Sequence, residues 1–399
     1  MQQGMTTLRI VLCTAGVALL ASCAHLPSGS IVDDRLRVDA KINGKPVKLA
    51  LDTGSELPLL LFRESAEKLG LQITNHDATA KIPQGKVSVD WTEESELQVS
   101  GTTINATFGV LKVPAGIEFE LDGLLGWPAV RKNIIHFDCA NLRYEFLRRL
   151  PGDISSWTNY RLKDDVSVLA FDVSDTGTGN ATVVIDTGFS GGICLSSNLW
   201  RQWTNTHANR QKTIHGDFTF GSGLQAREQS WTEALSLGRF SISNMPVWEA
   251  NSSDPAGTGE SFNAVLGIFA LKCFDLIVDG EHGVIYFKAN SSGPGPYRHN
   301  RLGAVFAPAD LEKGNDLIAH VIKGSPAEQA GIRGGDILLK IDSLDATKWR
   351  TDAALKPMSQ FWSKAPGTKM KLKLRRGDKE FETEVVLRDL IGPGVAPTK

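Results

Sequence analysis

Cysteine is scarce. The chain has 5 in 399 residues, and only Cys139, Cys194 and Cys273 lie beyond residue 23. Three is an odd number, so at least one thiol stays free or pairs between chains. A disulfide-stapled scaffold is therefore excluded. Their spacing carries no metal-ligand signature, and small buried apolar side chains are the plainest role for them. Charge of one sign is also missing. Lys and Arg number 43, Asp and Glu 45, and the formal net charge is -2, which removes the electrostatic argument for a nucleic-acid partner. The apolar run at residues 10–20 is too short for an ordinary membrane-spanning helix. His136, His215 and His282 have no Ser or Cys partner in a recognisable motif, so a serine- or cysteine-type triad has no support.

A hydrophobic fraction of 41% with 22% charged residues reads as folded and soluble over most of the length, and the length suits two or three domains. The 39 glycines suit a chain rich in β-turns and backbone-lined loops. Arg9, the run at 10–20 and the small residues after it describe a secretory signal peptide over residues 1–22. Leu20-Ala21-Ser22-Cys23 resembles the bacterial lipobox. That resemblance implies a lipid-modified Cys23 as the mature first residue, followed by a short polar tether over residues 23–30. Ala24 in the next position resembles Gram-negative lipoproteins of the outer membrane facing the periplasm. The alternative is a plain secretory peptide with Cys23 cleaved away or idle.

From residue 36 the pattern is strand-like. Residues 36–42 alternate, Asn43-Gly44 marks a hairpin turn, and an apolar stretch leads into Asp52-Thr53-Gly54. Residues 63–69 predict a short helix closed by Gly70. The same order then recurs. Val183-Val184-Ile185-Asp186-Thr187-Gly188 matches Leu49-Ala50-Leu51-Asp52-Thr53-Gly54, Trp231-Thr232-Glu233 echoes Trp91-Thr92-Glu93, and Val265-Leu266-Gly267 echoes Leu124-Leu125-Gly126. Asp138 and Asp279 follow at equal spacing, each before a strand ending in an aromatic residue, where capping a turn is the simpler role. These matches argue for duplication of a unit of about 130 residues. Residues 291–299, rich in Gly, Pro and Ser, read as a linker. A third, β-rich unit follows, with a helix predicted over residues 351–362 and a final hairpin about residues 376–378.

The chemistry lies in the repeated triplet. Each Asp sits where an apolar strand leaves the core. The Gly lets the backbone turn tightly, and the Thr hydroxyl can tie two such loops together. If a pseudo-twofold relates the halves, Asp52 and Asp186 meet on its axis. Two carboxylates a few ångströms apart share one proton. One can then take a proton from water while the other donates to a peptide carbonyl oxygen, with no metal or cofactor required.

Asp52-Thr53-Gly54 with Leu124-Leu125-Gly126, and Asp186-Thr187-Gly188 with Val265-Leu266-Gly267, resemble the pepsin and retropepsin class of aspartic proteases. The resemblance covers residues 31–290. It implies two acid-protease β-barrel lobes, residues 31–150 and 151–290, with Asp52 and Asp186 catalytic and peptide or protein substrates. Both half-sites lie in one chain, which points to a monomeric protease core. Ser55 fits the family pattern after the first triplet, and Phe189 departs from it after the second. The flaps that close over substrate in that family are placed at residues 82–89 and 215–220, around Gly85 and Gly216.

Gly324-Ser325-Pro326-Ala327-Glu328-Gln329-Ala330-Gly331-Ile332, with Gly334-Gly335-Asp336-Ile337-Leu338, resembles the PDZ domains of bacterial proteases. That resemblance implies a PDZ domain over residues 300–389 and a flexible tail over residues 390–399. In such domains a peptide C-terminus adds as a strand and backbone N–H groups catch its carboxylate. Arg301-Leu302-Gly303-Ala304-Val305 looks like the carboxylate loop and receiving strand, unless the chain itself fills the groove. Together these features predict an aspartic endopeptidase of the bacterial envelope, lipid-anchored through Cys23, whose PDZ domain recruits substrate or regulates the cleft. The competing class is a catalytically inactive envelope protein that holds peptides in the protease cleft and the PDZ groove. The presence of both Asp52 and Asp186 favours the enzyme, and Phe189 favours the silent binder.

Overall fold

The computed structural model describes residues 28–393 and 395, apart from 33–34, 83–84, 100, 114–119, 139–142, 174–181, 220–222, 250–261 and 292. The expected signal peptide, Cys23 and Cys139 lie outside the described residues. Among the described residues no helix is long and apolar enough to cross a membrane, and neither Cys194 nor Cys273 is in a disulfide. The described strands fall into sheets of 15, 7 and 6 strands, so the chain is mostly β.

Asn43 and Gly44, at φ 48° and 78°, reverse the chain between the strands Arg35–Ile42 and Lys45–Asp52. Both residues being left-handed is what a two-residue hairpin turn requires. Along Lys45–Asp52 the burial changes from alternating to continuous, because the strand passes between two cores. Leu49 and Leu51 enter the main core, and Ala50 packs with Leu60, Val89, Leu111 and Leu124 on the other face. Burial of each Leu contributes about 1.5–3 kcal/mol. Gly123–Gly126 then lies parallel to this strand and antiparallel to Leu59–Phe62. Further along, Thr182–Ile185 is buried throughout and lies parallel to Ala264–Leu266. That strand in turn runs antiparallel to Ile193–Leu195. The helix Arg63–Leu69 ends at Gly70 in a left-handed cap, as its sequence predicts.

Strand pairing joins the two parts of the chain. Ile134–Asp138 runs antiparallel to Phe274–Asp279, in register from Ile134↔Asp279 to Asp138↔Asp275. Each of these strands also pairs with the one after it, Arg143–Leu147 and Val284–Ala289. Phe137, Ile185, Val278 and Leu51 belong to one core cluster spanning both parts. Asp279 accepts the backbone N–H of His282 at 3.1 Å, which is the turn-capping role expected of it. Residues 28–30, expected in the tether, pair with Arg143–Glu145 as part of the strand Ser28–Val32.

The C-terminal unit has its own core around Leu302, Phe306, Leu338, Trp362 and Leu374. Its sheet runs Ala304–Pro308, Leu317–Val321, Ile337–Ile341, Lys369–Arg376 and Lys379–Val386. The expected helix over 351–362 is not continuous. A 3-10 turn covers Ala353–Leu355, Lys356 is extended, and one helical turn covers Ser359–Trp362. Pro357 is the cause, since proline lacks an N–H and pushes the residue before it out of the helical region.

The flanking segments are docked on the protein. Tyr297 packs edge-on to Phe269 at 4.8 Å and accepts a hydrogen bond from Gln229 at 2.5 Å. His299 is buried. Burial and then the Arg301 charge push its imidazole down to about 4, so at neutral pH it is uncharged and its Nε2 accepts the Leu390 N–H at 3.4 Å. Leu390 and Ile391, expected in a flexible tail, are both buried, and Ile391 joins the main core of the preceding units.

Candidate active site

Asp52 and Asp186 come from distant parts of the chain and face each other. The loops that carry them interlock through their threonines. Thr187 Oγ1 accepts the Thr53 N–H at 3.0 Å and donates to the Leu51 carbonyl at 2.5 Å. Reciprocally, Thr53 Oγ1 accepts the Thr187 N–H at 3.1 Å and donates to the Ile185 carbonyl at 2.7 Å. Both threonines are fully buried, so a backbone group left unpaired here has no water to turn to.

The glycines set the distance. A methyl group at Gly54 would fall 2.4 Å from Cγ of Asp186, and one at Gly188 would fall 2.5 Å from Cγ of Asp52. Only glycine lets each loop approach the opposite carboxyl this closely. Each Asp also accepts an N–H from its own loop, Gly54 to Asp52 at 3.0 Å and Gly188 to Asp186 at 2.8 Å. Gly126 lies beside Asp52 in the parallel register, and the Asp186 N–H donates to Leu266, the neighbour of Gly267, at 2.9 Å.

Burial pushes the Asp186 carboxyl well above the usual aspartate range, and the adjacent Asp52 charge adds to the rise. Burial also raises Asp52, but the Gly54 N–H and then the Arg35 charge partly offset it, and a hydrogen bond from Asp186 favours its ionised form. Both carboxyls are thus raised, and two this close cannot both ionise, so the pair shares one proton. Arg35, which begins the strand Arg35–Ile42, acts on both carboxyls. No motif marks it in the sequence.

Folding raises the Asp186 pKa, so above the ordinary aspartate range the folded chain binds more protons than the unfolded one. The stability linked to this carboxyl is full below about pH 4 and is lost as pH rises through the folded pKa. Asp186→Asn is thus expected to raise the thermal midpoint at pH 7, and to raise it less at pH 4. A difference from wild type that stays constant with pH would contradict this assignment.

The residues after the two triplets differ. Ser55 Oγ donates to the Leu57 carbonyl at 3.1 Å. The Phe189 ring packs edge-on to Trp248 at 5.0 Å and lies over Gly267, where an added methyl would meet it at 2.4 Å. Ser190 is exposed. A further correspondence escapes a reading by residue type. Asp122 accepts the Lys48 N–H at 2.8 Å and the Ser65 hydroxyl at 2.8 Å, while Asn263 accepts the Thr182 N–H at 2.8 Å. Each stands four positions before the Gly of its triplet, and that common offset is the signal that could have found them. Both segments expected as flaps fall on hairpins, Ile73–Ile82 with Gly85–Thr92 and Thr213–Thr219 with Gly223–Leu237. Residues 83–84 and 220–222 lie outside the described residues.

Residues 38–129 match the family described as aspartyl protease, and residues 301–387 match the PDZ domain. The chain carries an N-terminal aspartic-protease-like domain and a C-terminal PDZ domain. Among solved structures, an aspartic proteinase from Irpex lacteus is similar at 12% identity with a TM-score of 0.43, over 67% of this chain and 98% of that one. A search of curated proteins found no match.

Proposed function

We propose that this protein is an aspartic-type endopeptidase that hydrolyses peptide bonds with water activated between Asp52 and Asp186. The observation that carries the reading is the reciprocal bonding of Thr53 and Thr187, which holds two carboxyls, both raised by burial, against each other. Ionised Asp52 takes a proton from water as its oxygen attacks the peptide carbonyl carbon. Protonated Asp186 gives its proton to the carbonyl oxygen. The product of this step is a neutral tetrahedral diol, with the proton now on Asp52. Transfer of a proton to the amide nitrogen and cleavage of the C–N bond then release acid and amine. The step needs no metal or cofactor. In this reading residues 31–150 and 151–290 are pseudo-twofold-related lobes, and the linked half-sites make one site per monomer.

The test is incubation of purified protein with a diverse peptide library across pH, read by mass spectrometry. Cleavage blocked by a statine-type inhibitor that mimics the tetrahedral diol, and unaffected by serine-directed reagents or chelators, is the expected result. A wild type that cleaves nothing but retains peptides in a cleft-dependent way would favour a silent peptide-binding protein, the reading that Phe189 supports. Attachment to the outer membrane through Cys23 is a separate proposal, resting on residues 10–23. Cys23→Ser is expected to abolish incorporation of a lipid precursor and release the protein from the membrane fraction. Absence of label in the wild type would overturn it.

A further inference from the structure

The carboxylate loop at the receiving edge of the PDZ domain is already capped by this chain. The strand Ala304–Pro308 is at the edge of its sheet, with Leu317–Val321 on one side. Ile322 donates its N–H to the Gly303 carbonyl at 3.0 Å, so the next carbonyl, that of Ala304, faces the open edge. At that edge sits the side chain of Asn300, which is buried. Its Oδ1 accepts the N–H groups of Leu302 and Gly303 at 2.9 and 3.0 Å, and its Nδ2 donates to the Ala304 carbonyl at 2.8 Å. A peptide C-terminus would offer the same set: an oxygen for the loop N–H groups and an N–H for the first strand carbonyl. Asn300 supplies both from within.

The face of this strand turned away from the PDZ core is covered too. Ala304 and Phe306 point into the PDZ core. By alternation Val305 and Ala307 point the other way, yet they are only 5% and 6% exposed. The strands Thr213–Thr219 and Gly223–Leu237 lie against Ala304–Pro308, with Gly216 facing the Val305 side chain. Thr213 ties the two together by donating its buried hydroxyl to the Asn300 carbonyl. Leu390 closes the loop from the far side, 3.2 Å from where a Gly303 methyl would stand.

We propose that this PDZ edge strand serves its own chain, with Asn300 capping the carboxylate loop and the outer face of Ala304–Pro308 bracing the hairpin Thr213–Thr219/Gly223–Leu237, so that the domain does not capture free C-termini. The proposal rests on the PDZ domain and its contacts, and it stands whether or not Asp52 and Asp186 hydrolyse peptides. Two measurements on the full chain test it, neither depending on turnover. In the first, a labelled peptide pool ending in free Val, Leu, Ile or Phe carboxylates is compared with the same pool as C-terminal amides. Wild type is expected to show no preference for the free acids, and a clear preference would overturn the proposal. In the second, hydrogen exchange is followed in Asn300→Ala and, should that variant not fold, in Thr213→Val. Exchange is expected to rise about tenfold in residues 213–218 and 300–305 together, with Lys369–Arg376 unchanged. A rise in residues 300–305 alone, or in neither segment, would overturn the proposal.

Discussion

Asp52→Asn and Asp186→Asn are each expected to lower peptide hydrolysis by about 10²–10⁴-fold, the usual worth of positioned acid–base catalysis, while leaving the fold intact. Asparagine keeps the shape of the side chain and can still accept the N–H of Gly54 or Gly188. What it cannot do at position 52 is take the proton of water. At position 186 it can offer an N–H to the carbonyl oxygen but cannot transfer a proton to it. The double variant should be little worse than either single one, because the two groups act as a unit. The wild-type pH profile should be a bell belonging to the pair and not to either residue. Its acid limb reports uptake of a second proton by the pair, and its basic limb reports loss of the shared proton. Since burial and the Asp52 charge hold Asp186 well above the usual range, the basic limb should lie well above ordinary aspartate titration. Cleavage by wild type and Asp186→Asn at equal rates would falsify the mechanism.

The centre of this site was legible because it is local chemistry. Asp52-Thr53-Gly54 and Asp186-Thr187-Gly188 each place a carboxyl, a hydroxyl and a missing side chain on successive residues, and the structure uses all three. Its surroundings were not legible, for identifiable reasons. Asp122 and Asn263 do one job with different functional groups, since accepting a backbone N–H needs only an oxygen. Arg35 acts through space, and no spacing announces that. Apolar positions at 355, 358, 361 and 362 suggested one helix face, but their burial does not require a continuous helix, and Pro357 decides the backbone. The Gly- and Pro-rich segment before residue 300 and the tail after residue 389 look like spacers by composition. Their few anchoring residues, Tyr297, His299, Leu390 and Ile391, find partners far away in sequence, beyond the reach of any local pattern.

Thr187→Val is expected to destabilise the protein more than any change in the carboxyls. Valine matches threonine in shape, so no cavity opens and the effect isolates the hydroxyl. That oxygen accepts the Thr53 N–H and donates to the Leu51 carbonyl. Its loss strands one donor and one acceptor beside a residue of zero exposure. Each unsatisfied buried group costs about 1–3 kcal/mol, so the sum is about 2–6 kcal/mol against a whole-protein stability of about 5–15 kcal/mol. Thr53→Val should cost a similar amount through the Thr187 N–H and the Ile185 carbonyl. The hydroxyls also touch each other at 3.4 Å, so the double variant should depart from the sum of the two. Thr187→Ser keeps the hydroxyl and should restore most of the loss. Because the threonines set how the two carboxyls meet, a residual shift of about 1 Å should also cost about 10²-fold in turnover in whatever fraction still folds. Urea unfolding gives the first quantity as a shift in midpoint at constant slope, and single-turnover cleavage gives the second. If Thr187→Val unfolds at the wild-type midpoint, the interlock does not hold the two loops together, and the geometry of Asp52 and Asp186 must be set by the strands behind them.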